Sequence, residues 1–138
     1  MREKFDLQER FIDFAVRVLR LCEVLPNTFA GQHIAAQLIR SATSTAANYG
    51  ESQGAESRAD FTHKLGVALK EMRETHVWLR IIAKAGLVDK PEKWQPLLLE
   101  ADELVSILFA SVSTAKRNNP SKRNPPSPEK LFQNPEEL

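Results

Sequence analysis

Between Ile34 and Glu51 the chain carries only two formal charges, Arg40 and the closing Glu51. Few structures can accommodate such a segment. At about 100° per residue, Gln37, Arg40, Ser44, Asn48 and Glu51 fall on a single polar line of a helix. Ile34, Leu38, Ala42, Thr45 and Tyr49 form an apolar line beside it, and Ala36, Ile39, Thr43 and Ala47 fill the remaining arc. A surface helix normally sets a charged face against its core face, and this one has none. A helix without a wet face is buried all round. A chain of 138 residues can hardly bury it alone, so self-assembly is expected.

The rest of the chain supplies partners for that helix. Leu7, Phe11, Phe14, Ala15, Val18, Leu21, Cys22 and Leu25 repeat at helical spacing ahead of Pro26, which predicts a first helix over about 5–25. Thr28 is placed to cap the second helix, predicted over 29–51, and Ser57 with Asp60 marks the start of a third over 57–86. Phe61, Leu65, Ala68, Met72, Thr75, Leu79, Ile82 and Gly86 follow a 4-3-4-3 seam, and Leu69, Val77, Trp78 and Ile81 widen it. A fourth helix over about 93–117 is expected to open between Glu92 and Pro96, with Pro96 in its first turn. Trp94, Leu97, Ala101, Leu104, Leu108, Ser111 and Ala115 form its seam. No sustained strand alternation occurs, so the fold class is all-α: an antiparallel up-down-up-down four-helix bundle.

Composition changes after Ala115. Five of the eight prolines lie in residues 116–138, among Ser, Asn, Lys and Glu. This divides the chain into a bundle, 1–118, and a disordered Pro-rich tail, 119–138, whose sole hydrophobic pair is Leu131-Phe132. Charge divides the same way. Residues 1–115 hold 14 Lys/Arg and 15 Asp/Glu, whereas 116–138 hold five and three. The bundle is therefore not basic overall, which argues against a dominant charge-driven nucleic-acid surface but leaves room for a local patch. Lys116, Arg117, Lys122 and Arg123 form the candidate nucleic-acid contact.

Little else points to chemistry. The lone Cys22 excludes an intrachain disulfide, no apolar run reaches the roughly 20 residues that span a bilayer, and no signal peptide precedes Phe5. A cytoplasmic protein without membrane contact is expected. His33, His63 and His76 make no metal-ligand spacing, and five glycines form no phosphate loop. No cofactor, metal or catalytic residue is expected, and an enzyme with a site between helices ranks below a binding protein. The polar line Gln37, Arg40, Ser44, Asn48 and Glu51 reads as an interhelical network, with Glu74 or Glu71 on the third helix available to Arg40.

The same line carries a resemblance. Gln37-x-x-Arg40-x-Ala42-x-Ser44-x-x-x-Asn48-x-x-Glu51, continued through Phe61, Leu65, Ala68, Glu74, Leu79 and Gly86-Leu87, resembles the signature of the 23S rRNA intervening-sequence-protein family over about residues 5–115. Where that family usually reads Asn-Ile-Ala-Glu-Gly, this chain has Asn48-Tyr49-Gly50-Glu51-Ser52. The resemblance implies a left-handed four-helix bundle assembled as a homopentamer around a central channel. The family is in turn similar to the accessory protein of diversity-generating retroelements, a pentameric bundle that binds a reverse transcriptase and nucleic acid. The expected partners are other copies of the chain and either RNA or a nucleic-acid-processing protein. An adaptor for a protein partner alone is the alternative.

Overall fold

A computed structural model describes residues 6–118. It contains four helices: α1 Leu7–Glu23, α2 Phe29–Gln53, α3 Arg58–Ala85 and α4 Pro91–Arg117. The Pro-rich segment, with Lys122, Arg123, Leu131 and Phe132, lies outside the described residues. Each helix packs on the next, and α1 closes on α4, so the order is up-down-up-down around one core. Among adjacent helices, contact is broadest between α2 and α3 and thinnest between α1 and α4. No helix among the described residues is long and apolar enough to cross a membrane.

Local chemistry sets the helix ends. The Asp6 carboxylate accepts from the Glu9 N–H at 3.1 Å, the Thr28 hydroxyl from Gly31 at 3.1 Å, and the Ser57 hydroxyl from Asp60 at 3.0 Å. Each satisfies one N–H that a helix start leaves open. Gly86 closes α3 at φ 65°, a left-handed conformation costly for any residue with a Cβ, and Leu87 then donates to the Ile82 carbonyl at 3.2 Å.

α4 differs from expectation at its start. Pro91 takes the first position, where its missing N–H is harmless, and Pro96 lies a turn deeper. Pro96 is exposed, so water can reach the Glu92 carbonyl left without its helical donor.

The core is built from the predicted seams. Phe11, Phe14, Val18 and Leu21 of α1 meet Ile34, Leu38 and Ala42 of α2, Leu65, Ala68, Met72, Leu79 and Ile82 of α3, and Leu97, Ala101, Leu104 and Leu108 of α4. The thin α1–α4 seam is clasped by Arg10. Its Nε and Nη2 grip Glu100 at 2.7 and 2.9 Å, and Nη2 reaches Glu103 at 2.8 Å. This fork holds the Glu100 carboxyl below its usual pKa range, chiefly through the hydrogen bond from Arg10. Nothing in the helical periodicity marks the clasp, because its members lie 90 and 93 residues apart.

Candidate functional site

The polar line of α2 runs along the outer edge of the α2–α3 seam. Arg40 donates through Nη1 to Glu71 at 3.0 Å and through Nη2 to Glu74, while the Gln37 side chain accepts from its Nε at 3.3 Å. Trp78 adds an Nε1–H donor to Glu74 at 3.1 Å. The guanidinium, then the indole, hold the Glu74 carboxyl below its ordinary pKa. The Arg40 side chain is 46% exposed and that of Glu71 only 15%, so the cation stays in water while one of its partners does not. Further along, Glu51 pairs with Lys64 at 2.7 Å. Ser44 and Asn48 serve their own helix: Asn48 Nδ2 donates to the Ser44 carbonyl at 2.9 Å and its hydroxyl at 3.1 Å. The dry polar link between the two helices lies deeper, where the Ser41 and Thr75 hydroxyls bond at 2.8 Å.

At the other end of this edge stands an aromatic row. Phe29, 90% exposed, stacks on His33 at 6.5 Å, and His33 meets Trp78 edge-on at 5.9 Å. On the opposite side of α2, Ile12, Val16 and Leu19 of α1 stand 38, 42 and 36% exposed at spacing 4 and 3. The Cys22 thiol lies 3.8 Å from the Ala35 carbonyl, and Gln8 lies against Gly50, which sets that row beside the small residues of α2. Ala36, Thr43 and Ala47 of α2 are exposed there. The two helices thus present one apolar wall with no charge along its α2 half.

α3 turns a different side outward. Lys70, Arg73, Arg80 and Lys84 share one line of the helix and are all exposed. Its carboxylates Glu71 and Glu74 face α2 and are occupied by Arg40. No ion pair engages the four cations among the described residues, although the Arg73 guanidinium lies 5.7 Å over the Phe109 ring. Lys116, from the end of α4, borders a depression with His63, Gly66 and Lys70. Arg117 donates to the Thr114 hydroxyl at 3.3 Å. Summing charge over the bundle hides this strip, because the balancing acids lie elsewhere.

Two glycines sharpen the contrast. A Cβ on Gly31 of α2 would stand 2.1 Å from the Pro26 carbonyl oxygen, so packing requires glycine there. A Cβ on Gly66 of α3 would meet nothing within 4 Å. Glycine inside a helix costs about 1 kcal/mol relative to alanine, and at Gly66 no packing need offsets it.

Catalytic groupings do not form among the described residues. No cluster of three metal-ligating side chains occurs there, and the three histidines sit apart: His33 on Trp78, His63 at the depression, His76 3.8 Å from Asp102. Burial pushes the Cys22 thiol up to about 11, which keeps it protonated and unreactive at neutral pH.

Comparison with known proteins agrees with the bundle. The sequence profile of the 23S rRNA-intervening sequence protein family matches residues 3–110. The chain belongs to this family. The crystal structure of a protein of unknown function from the S23 ribosomal protein family of Bacteroides thetaiotaomicron superposes with a TM-score of 0.69 at 32% identity, covering 76% of this chain and 96% of that one. No match was found among curated proteins. Family membership accounts for the fold and assigns no chemistry.

Proposed function

We propose that this family member is a non-catalytic, self-assembling scaffold, a cytoplasmic homopentamer that carries RNA or a nucleoprotein partner. The observation that carries the reading is the apolar wall of Ile12, Val16 and Leu19 beside Ala36, Thr43 and Ala47. Each Å² of such surface left in water forgoes about 25 cal/mol, and small residues on α2 let a second backbone approach closely. A ring of five joins unlike patches, so the wall needs a different counterpart on its neighbour. The aromatic row at Phe29 and His33 supplies one. The stoichiometry rests on the resemblance to the family, and the RNA partner on that resemblance together with Lys116, Arg117, Lys122 and Arg123, which assembly would multiply.

Light scattering tests the assembly. Five copies of the 15.6-kDa chain give 78 kDa at micromolar concentration. A stable mass of 15.6 kDa rejects the reading, whereas a dimer or tetramer keeps the buried wall and rejects the number five.

A further inference from the structure

The outward side of α3 combines four features that self-assembly does not use. Gly66, Lys70, Arg73, Val77, Arg80 and Lys84 recur at spacing 4, 3, 4, 3 and 4, one line whose ends lie 18 positions, or about 27 Å at 1.5 Å per residue, apart. The four cations on it have no carboxylate within ion-pair distance among the described residues. The groups facing the line from α4 include a single acid, Asp102, which lies toward His76.

The second feature is the Gly66 depression, bordered by His63, Lys70 and Lys116. No neighbour needs the missing Cβ, so the glycine opens the helix surface without serving packing. Thirdly, Thr62 lines the same depression at 7% exposure, and its hydroxyl makes no hydrogen bond among the described residues. A buried polar group normally has a partner, and an unpaired one costs free energy until something supplies it. The fourth is Phe109, 54% exposed, with the Arg73 guanidinium 5.7 Å from its ring centroid. Cations in a row with an open aromatic ring are the makings of a single-strand platform: charge follows the phosphates and a base stacks on the ring.

We infer that this line on α3 binds the sugar–phosphate backbone of single-stranded RNA, with one phosphate seated over Gly66 between Lys70 and Lys116 and a base against Phe109. The inference rests on the RNA reading above and moves its main contact from the tail to the bundle. Recognition is by phosphate and ring, so it carries no sequence preference.

The test is fluorescence anisotropy of a labelled oligouridine with the full-length protein across a KCl series. Each phosphate contact on a single strand contributes about 0.7 to the log–log salt slope, so Lys70→Gln combined with Lys116→Gln should flatten it by about 1.4. Gly66→Leu, which improves helix propensity and whose Cβ has nothing within 4 Å, should fill the depression and weaken binding while circular dichroism stays unchanged. Lys90→Gln, an exposed cation ahead of α4, is the control and should leave the slope alone. Equal flattening by Lys90→Gln would overturn the inference, since binding would then follow total charge. Wild-type binding in the α3 variants, with loss confined to Lys122→Gln combined with Arg123→Gln, would also overturn it and leave the RNA reading to the tail. No binding by the unmodified protein at the lowest salt would remove both.

Discussion

α2 and α3 are near neighbours in length, 25 and 28 residues, and share the broadest helix–helix contact in the bundle. Their outer sides could hardly differ more. α2 shows alanine, threonine and the lone cation Arg40, whereas α3 shows Lys70, Arg73, Arg80 and Lys84. Taking the first out of water forfeits few hydrogen bonds, and its small side chains suit close packing. Taking the second out would strip four unpaired ammonium and guanidinium groups, each at a cost of several kcal/mol. Under the proposed assembly one side would lose its water and the other would keep it. Two helices of similar apolar content thus present different outer sides because their charges occupy different positions around the axis.

The contrast breaks most visibly by moving one charge. Ala47→Glu places a carboxylate on the α2 wall, and burying it in each contact costs several kcal/mol. Light scattering should then show the mass fall from 78 toward 15.6 kDa with helicity retained. Lys70→Glu on α3 should leave the mass unchanged. Loss of assembly in both variants would show that the two sides are not distinct.

A smaller effect separates the glycines. Gly31→Ala forces a Cβ toward the Pro26 carbonyl and should destabilise by about 1–3 kcal/mol, as overpacking does. Gly66→Ala has free space and should stabilise by about 0.5–1 kcal/mol. Thermal melts at one fixed protein concentration compare them, since assembly makes the midpoint concentration-dependent.

Arg40→Ala should have the smallest effect, below about 1 kcal/mol in a protomer, because the cation is half exposed. Its pH signature is specific. The Glu74 carboxyl is held below its unfolded value of about 4.3, so the pair stabilises above that pH and its contribution fades as acid protonates Glu74. Acid titration of stability should lose this component in Arg40→Ala and keep it in the parent. A destabilisation of several kcal/mol would instead mean that assembly buries the pair.

Much of the bundle was readable from one dimension. Caps at Thr28 and Ser57, the stop at Gly86 and the seams of α1, α3 and α4 depend on residues three or four apart, where local physics speaks plainly. The Arg10 clasp on Glu100 was not readable, because it joins the two ends of the chain. The α3 strip was missed for a different reason. Its cations alternate with Glu71 and Glu74 in sequence; the pairing of those acids with Arg40 is legible there, but that no other described carboxylate reaches the cations is visible only in the packing. Pro96 lies deeper than a proline's preference for the first turn suggests, because Pro91 already opens α4. The emptiness above Gly66 belongs to three dimensions alone.

The claim on which the rest depends is that the α1–α2 wall is covered between copies while the outer side of α4 stays wet. Hydroxyl-radical footprinting of the unmodified protein at micromolar concentration reads this residue by residue. In a lone protomer Ile12, Val16 and Leu19 stand 36–42% exposed, and Leu99 and Phe109 stand 60 and 54% exposed, so all five should react. Protection of Ile12, Val16 and Leu19, with Leu99 and Phe109 labelled freely, is the expected pattern. Labelling of all five in line with their protomer exposure would contradict it.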